Sequence, residues 1–181
     1  MEQEKVVIQL LYKLAYISKN ILFALYFLLL LLNTLVWGAH PRDQWFGLNS
    51  KENKAKFVES CMRIEAKTNL DLAYVAASKM IQADLSYVPT VQLSLFNEGK
   101  TQLETCISQD PWNTEIRFIR LTLQCQSPWF LGYHDQIEED TKIIIDHLHL
   151  GYIKRQHPFW KKAIDFIQMQ DRIPASMKKQ L

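Results

Sequence analysis

Apolar positions recur at three- and four-residue intervals through most of this chain. Phe57, Cys61 and Ile64 share one such face, and Ser50 stands where a cap is wanted, predicting a helix from Ser50 to about Lys67. A second helix starts at Asn69 or Asp71 and ends before Pro89, with Leu72, Val75, Ala76, Met80 and Ala83 facing inward. Its Ala73, Ala76 and Ala77 would let a neighbour approach closely, because small side chains shorten the distance between helix axes. Pro89 opens a third helix, to about Gln109, at the position where proline loses no hydrogen bond. Leu95, Phe96, Gly99, Leu103, Cys106 and Ile107 form its stripe.

Asp110-Pro111-Trp112-Asn113 reads as a turn, and Asn113 or Thr114 caps a fourth helix to about Gln126, where Ser127-Pro128 breaks it. A fifth covers about Asp135–Leu148 and stops at Gly151. A sixth runs from Pro158 to about Asp171, with Phe159, Ala163, Phe166 and Ile167 in line. The expected fold is therefore all-α, about six helices packed as antiparallel pairs over residues 51–172. Residues 40–50 read as a linker anchored by Trp45-Phe46, and residues 173–181 as a flexible tail.

The first 39 residues break the pattern. Ile21–Val36 carries no charge, has only Asn33 and Thr34 as polar positions, and lacks a polar face. Lys5, Lys13 and Lys19 precede it, and His40, Pro41, Arg42 and Asp43 follow. A basic flank, an apolar stretch and then polar residues make an export signal, with the N-terminus left in the cytoplasm. Two fates stay open. Val36 and Gly38 suit cleavage after Gly38, and residues 21–39 are also long enough for a retained membrane anchor. The expected location is periplasmic, or anchored in the inner membrane with the C-terminal domain outside the cytoplasm.

Composition adds limits. The chain is 48% hydrophobic and 22% charged, ordinary for a globular protein. Its net charge of +2 gives no reason to expect nucleic acid. Setting aside the three lysines and two glutamates of the N-terminal segment leaves 18 basic and 17 acidic residues. Cys61, Cys106 and Cys125 are odd in number and each sits on an apolar face, so buried free thiols are the simpler reading over one disulfide plus a spare.

Gly99, Leu103, Cys106 and Pro111 follow the small–large–small–proline spacing of the second helix of a tetratricopeptide repeat, and the third helix resembles that family. The first-helix signature of the family is missing. The segment from about Asn69 to Leu150 also resembles a family of uncharacterised exported helical proteins of Gram-negative bacteria. The residues that carry this are Phe96-Asn97-Glu98-Gly99-Lys100, Asp110-Pro111, Asn113, Glu115-Ile116-Arg117-Phe118, Arg120-Leu121, Pro128 and Phe130-Leu131-Gly132-Tyr133. The resemblance implies an exported location and a helical fold, and it carries no catalytic role.

The chemistry to weigh is in the fourth helix. At about 100° per residue, Arg117, Arg120 and Gln124 fall within a strip about 60° wide on an otherwise apolar helix. Such arginines either meet the acidic run Glu138-Glu139-Asp140 at the start of the next helix, or grip a small anion walled by Trp129 and Tyr133. His147 and His149 point about 200° apart on a helix and do not share an ion easily. No nucleophile elbow, zinc-protease motif or phosphate loop is present. Neither cofactor nor metal is expected. The reading is a non-enzymatic, envelope-facing scaffold or adaptor for another envelope protein. The alternative is a small-anion-binding protein using Arg117, Arg120, Trp129 and Tyr133.

Overall fold

The computed structural model describes residues 40–181 and, ahead of them, only Ile21 and Tyr26. The signal or anchor expected over residues 1–39 lies outside the described residues. His40–Leu181 forms one compact unit. Among the described residues no helix is long and apolar enough to cross a membrane.

The unit is all-α. Among the described residues it contains α1 (Pro41–Gln44), α2 (Lys51–Arg63), α3 (Asn69–Leu85), α4 (Pro89–Gln109), α5 (Thr114–Gln126), α6 (Ile137–His149), α7 (Pro158–Met169) and α8 (Ala175–Lys178). Two 3-10 turns, Trp45–Gly47 and Trp129–Leu131, complete it, and no strand is present among these residues.

Local chemistry sets the helix ends. Ser50 Oγ accepts from the Asn53 amide at 3.2 Å, and Asn113 Oδ1 from the Ile116 amide at 3.2 Å, as their positions predict. The start of α3 differs from expectation. Thr68, not Asn69 or Asp71, is the cap, and Asp71 closes a reciprocal box by accepting the Thr68 amide at 2.9 Å. Gly151, at φ 78°, ends α6 in the left-handed conformation that glycine adopts without strain.

Helices α3 and α4 pack along much of their length, joined by a three-residue turn. At the seam Gly99 lies against Ala76 and Met80, and Ala73, Ala76 and Ala77 are all buried. A Cβ placed on Gly99 would stand 2.6 Å from the Ala76 carbonyl oxygen and 2.7 Å from Met80 Cγ, so backbone meets backbone here. The inward face of α3 is rotated from the one predicted. Leu72 is 47% exposed, and Tyr74, between two of the small positions, is fully buried. α5 runs through the centre, with eleven of its thirteen residues buried.

Both flanking segments belong to the core. The stretch at 40–50, read as a linker, is helical, and the Trp45 ring packs against Phe57 and Tyr74 at centroid distances of 5.5 and 5.8 Å. Phe46 reaches Phe118 and Phe159. The stretch from 173, read as a flexible tail, contains α8 and buries Ile173 and Leu181. Both segments are short and rich in polar residues. A few isolated apolar side chains anchor them, which a periodic pattern does not reveal.

Candidate functional site

Arg117 and Arg120 leave α5 on one side and meet α6 end-on. Arg120 donates through Nε to Asp140 Oδ2 at 2.8 Å and through Nη2 to Asp140 Oδ1 at 2.7 Å, a two-bond grip on one carboxylate. Its remaining Nη1 donates to Glu104 Oε2 of α4 at 2.7 Å. Arg117 donates to Asp140 Oδ1 at 3.0 Å, to Glu139 Oε1 at 2.7 Å, and through Nε to the Pro111 carbonyl at 2.9 Å. One turn further along the strip, Gln124 Nε2 donates to Gln136 Oε1 at 2.7 Å. The three residues placed on one strip by helical spacing thus all reach the start of α6. Between the two possibilities for the arginines, the carboxylate they hold is the chain's own Asp140.

Asp140 is fully buried, and Arg117 and Arg120 nearly so. Burial works against the charge at Arg120, but the bonds and charges of Asp140 and Glu104 outweigh it and lift its pKa above the usual value. At Asp140 burial is the larger effect and pushes the carboxyl above its usual value, opposed by Arg120 and Arg117. Both guanidiniums are permanently charged, and the acid-rich first turn of α6 also lies at the positive end of that helix dipole.

The structure brings Tyr133 into this network and leaves Trp129 outside it. The Tyr133 ring is buried, edge-on to Phe96 at 5.8 Å, and its hydroxyl donates to Glu104 Oε1 at 2.8 Å. Burial and the Glu104 charge push that phenol well above its ordinary pKa. Trp129 is 80% exposed and Phe130 69%. They form the outer corner of the Ser127–Gln136 connection, where Gly132 turns the chain at φ 59°. Arg172 fastens this corner from behind, donating through Nη1 to the Gln124 and Ser127 carbonyls, both at 2.8 Å. A cleft of about 450 Å³ lies beside it, lined by Trp129, His134, Asp135, Ile137, Glu138 and Arg172.

No family model, curated protein or solved structure matches this chain.

Sequence reasoning missed two participants. Glu104 stands beside Leu103 at the edge of the α4 stripe, an ordinary place for a solvated acid. The second is a separate buried cluster, in which Tyr74 donates to Glu115 Oε1 at 2.8 Å and Arg42 Nη2 lies 2.8 Å from Glu115 Oε2. Arg42 fell in the supposed linker, so nothing in the pattern tied it to α5. Burial pushes the Glu115 carboxyl up from its usual value, against the pull of Tyr74 and Arg42. Burial also raises all three thiols, Cys61 to about 12 and Cys125 to about 11, and the three cysteines are unpaired. Among the described residues no group of three or more His, Cys, Asp or Glu side chains is placed to hold a metal ion.

Proposed function

We propose that this chain is a non-enzymatic helical adaptor of the cell envelope, exported or tethered through its N-terminal apolar stretch, whose α-domain binds another envelope protein. The observation that carries this reading is the Trp129–Phe130 corner. Two large aromatic side chains stand in solvent on a backbone fixed by Gly132, by the Tyr133–Glu104 bond and by Arg172. Exposed aromatics on a rigid mount are favourable anchors for a partner, because little conformational freedom is lost when they are covered. The cleft beside them offers a concave surface of mixed character. The location rests on the order of basic flank, apolar stretch and polar start in the first 43 residues.

A tetratricopeptide-like arrangement is supported by the α3–α4 seam at Gly99 and by the proline that follows α4. The anion-binding alternative has no comparable support, since Arg117 and Arg120 are engaged by Asp140, Glu139 and Glu104.

The test is a photo-reactive residue in place of Phe130 in the full chain, expressed in cells. A discrete adduct with one envelope protein, lost in the Trp129→Ala background while the melting temperature holds, is expected. No adduct, or an adduct indifferent to Trp129→Ala, overturns the reading.

A further inference from the structure

Between Asp146 and Asp165 the chain contains no acidic residue, yet it carries Lys154, Arg155, Lys161 and Lys162. The domain as a whole is nearly balanced, so this stretch from the end of α6 into α7 is locally rich in positive charge. All four cations are exposed. Lys162 lies over the Phe46 ring. Lys154, Arg155 and Lys161 enter no ion pair among the described residues. That sets them apart from Arg42, Arg117 and Arg120, each neutralised inside the domain.

Three further observations concern the same stretch. A shallow cleft of about 450 Å³ is lined by Arg155, Gln156, Lys161, Ile164 and Asp165, with Asp165 the lone acid among two cations. The cations flank the start of α7, where the helix dipole is positive. Leu150 and Tyr152, just ahead of the cations, are 66% and 74% exposed. Exposed cations that follow an exposed aliphatic and an exposed aromatic side chain in the chain suit a bilayer surface. There phosphates neutralise the charge, and tyrosine rests at the headgroup level.

We propose that this stretch, with Lys154, Arg155 and Lys161 at its centre, binds the phosphate headgroups of an anionic bilayer. The inference rests on the membrane-tethered part of the reading above and adds the surface that meets the lipid. It uses none of the residues of the Trp129–Phe130 corner. A lysine or arginine near an anionic membrane strengthens association about fivefold, so reversing three charges weakens it by roughly 100-fold or more.

The experiment places the full chain with vesicles of pure phosphatidylcholine and with vesicles of equal phosphatidylcholine and phosphatidylglycerol. Backbone amide exchange is then followed over residues 150–162. Exchange is expected to slow several-fold only with phosphatidylglycerol, and to recover at high salt. The Lys154→Glu/Arg155→Glu/Lys161→Glu variant should lose the effect while α3 and α5 keep their protection. A chain that does not insert is read by co-sedimentation with the same two vesicle types. Equal behaviour in both compositions overturns the proposal, as does protection by an acidic peptide but not by phosphatidylglycerol. The Phe130 cross-link reports separately on the adaptor reading, so either can fail alone.

Discussion

Arg120 of α5 holds Asp140 of α6 through two parallel hydrogen bonds of 2.8 and 2.7 Å, and both residues are sealed from solvent. Removing one side leaves the other buried with fewer partners: Asp140 keeps Arg117 at 3.0 Å, and Arg120 keeps Glu104 at 2.7 Å. Arg120→Ala and Asp140→Ala should each cost at most roughly 3–5 kcal/mol in urea unfolding, the range for a buried charge left wholly unpaired. Arg120→Lys should recover only part of this, because an ammonium cannot reproduce the two-bond fork. Replacing both partners by Met and Leu should cost less than either single change, since the buried charge is removed on both sides while Arg117 keeps Glu139 and Glu104 keeps Tyr133. A double variant as unstable as the sum of the two single changes would refute this account.

Gly99 makes the opposite kind of contact. Gly99→Ala adds helix propensity worth about 1 kcal/mol, but its methyl meets the Ala76 carbonyl oxygen at 2.6 Å. Backbone there cannot yield as a flexible side chain would. The variant should lose a net amount on the order of 1–3 kcal/mol, seen as a lower denaturation midpoint at an unchanged slope.

Glu115 gives a pH dependence with a definite sign. Its folded pKa is raised by burial, so the folded state takes up the proton before the unfolded chain does. The contribution to stability is complete below the ordinary glutamate value and is lost as pH rises through the folded value. Glu115→Gln removes it. Urea midpoints of the wild type and Glu115→Gln, compared from about pH 7 down to about pH 4, should therefore shift in favour of the wild type as acid is added. A difference that stays flat, or moves the other way, would show that Glu115 is not held as described.

The three thiols should be silent in the native state. Cys61 and Cys125 are buried with pKa values pushed up to about 12 and about 11, so thiolate is scarce and access is blocked. A chromogenic disulfide reagent should label them slowly at neutral pH and rapidly in denaturant, with three equivalents released per chain.

Much of this architecture was legible because the signals were local. Ser50, Pro89, Asn113 and Gly151 mark helix ends by chemistry that acts within one turn. The arginine strip could be aimed at α6 because helical spacing alone puts Arg117, Arg120 and Gln124 on one side. What spacing does not carry is the third element. Glu104 joins the network only because α4 lies against the Tyr133 corner, and Arg42 reaches Glu115 only because α1 folds back onto the core. Trp129 and Tyr133 are four residues apart in one aromatic run, and their opposite fates turn on Gly132, whose φ of 59° reverses the chain between them.

The segment that opens the domain has a mechanical meaning. Arg42 is tied to Glu115 and stacks over Phe159, and Trp45 is wedged between Phe57 and Tyr74. A pull applied at His40 is therefore borne within a few residues by an ion pair and an aromatic wedge, before it can peel α2 away. The load then falls on the ring contacts of Trp45 with Phe57 and Tyr74.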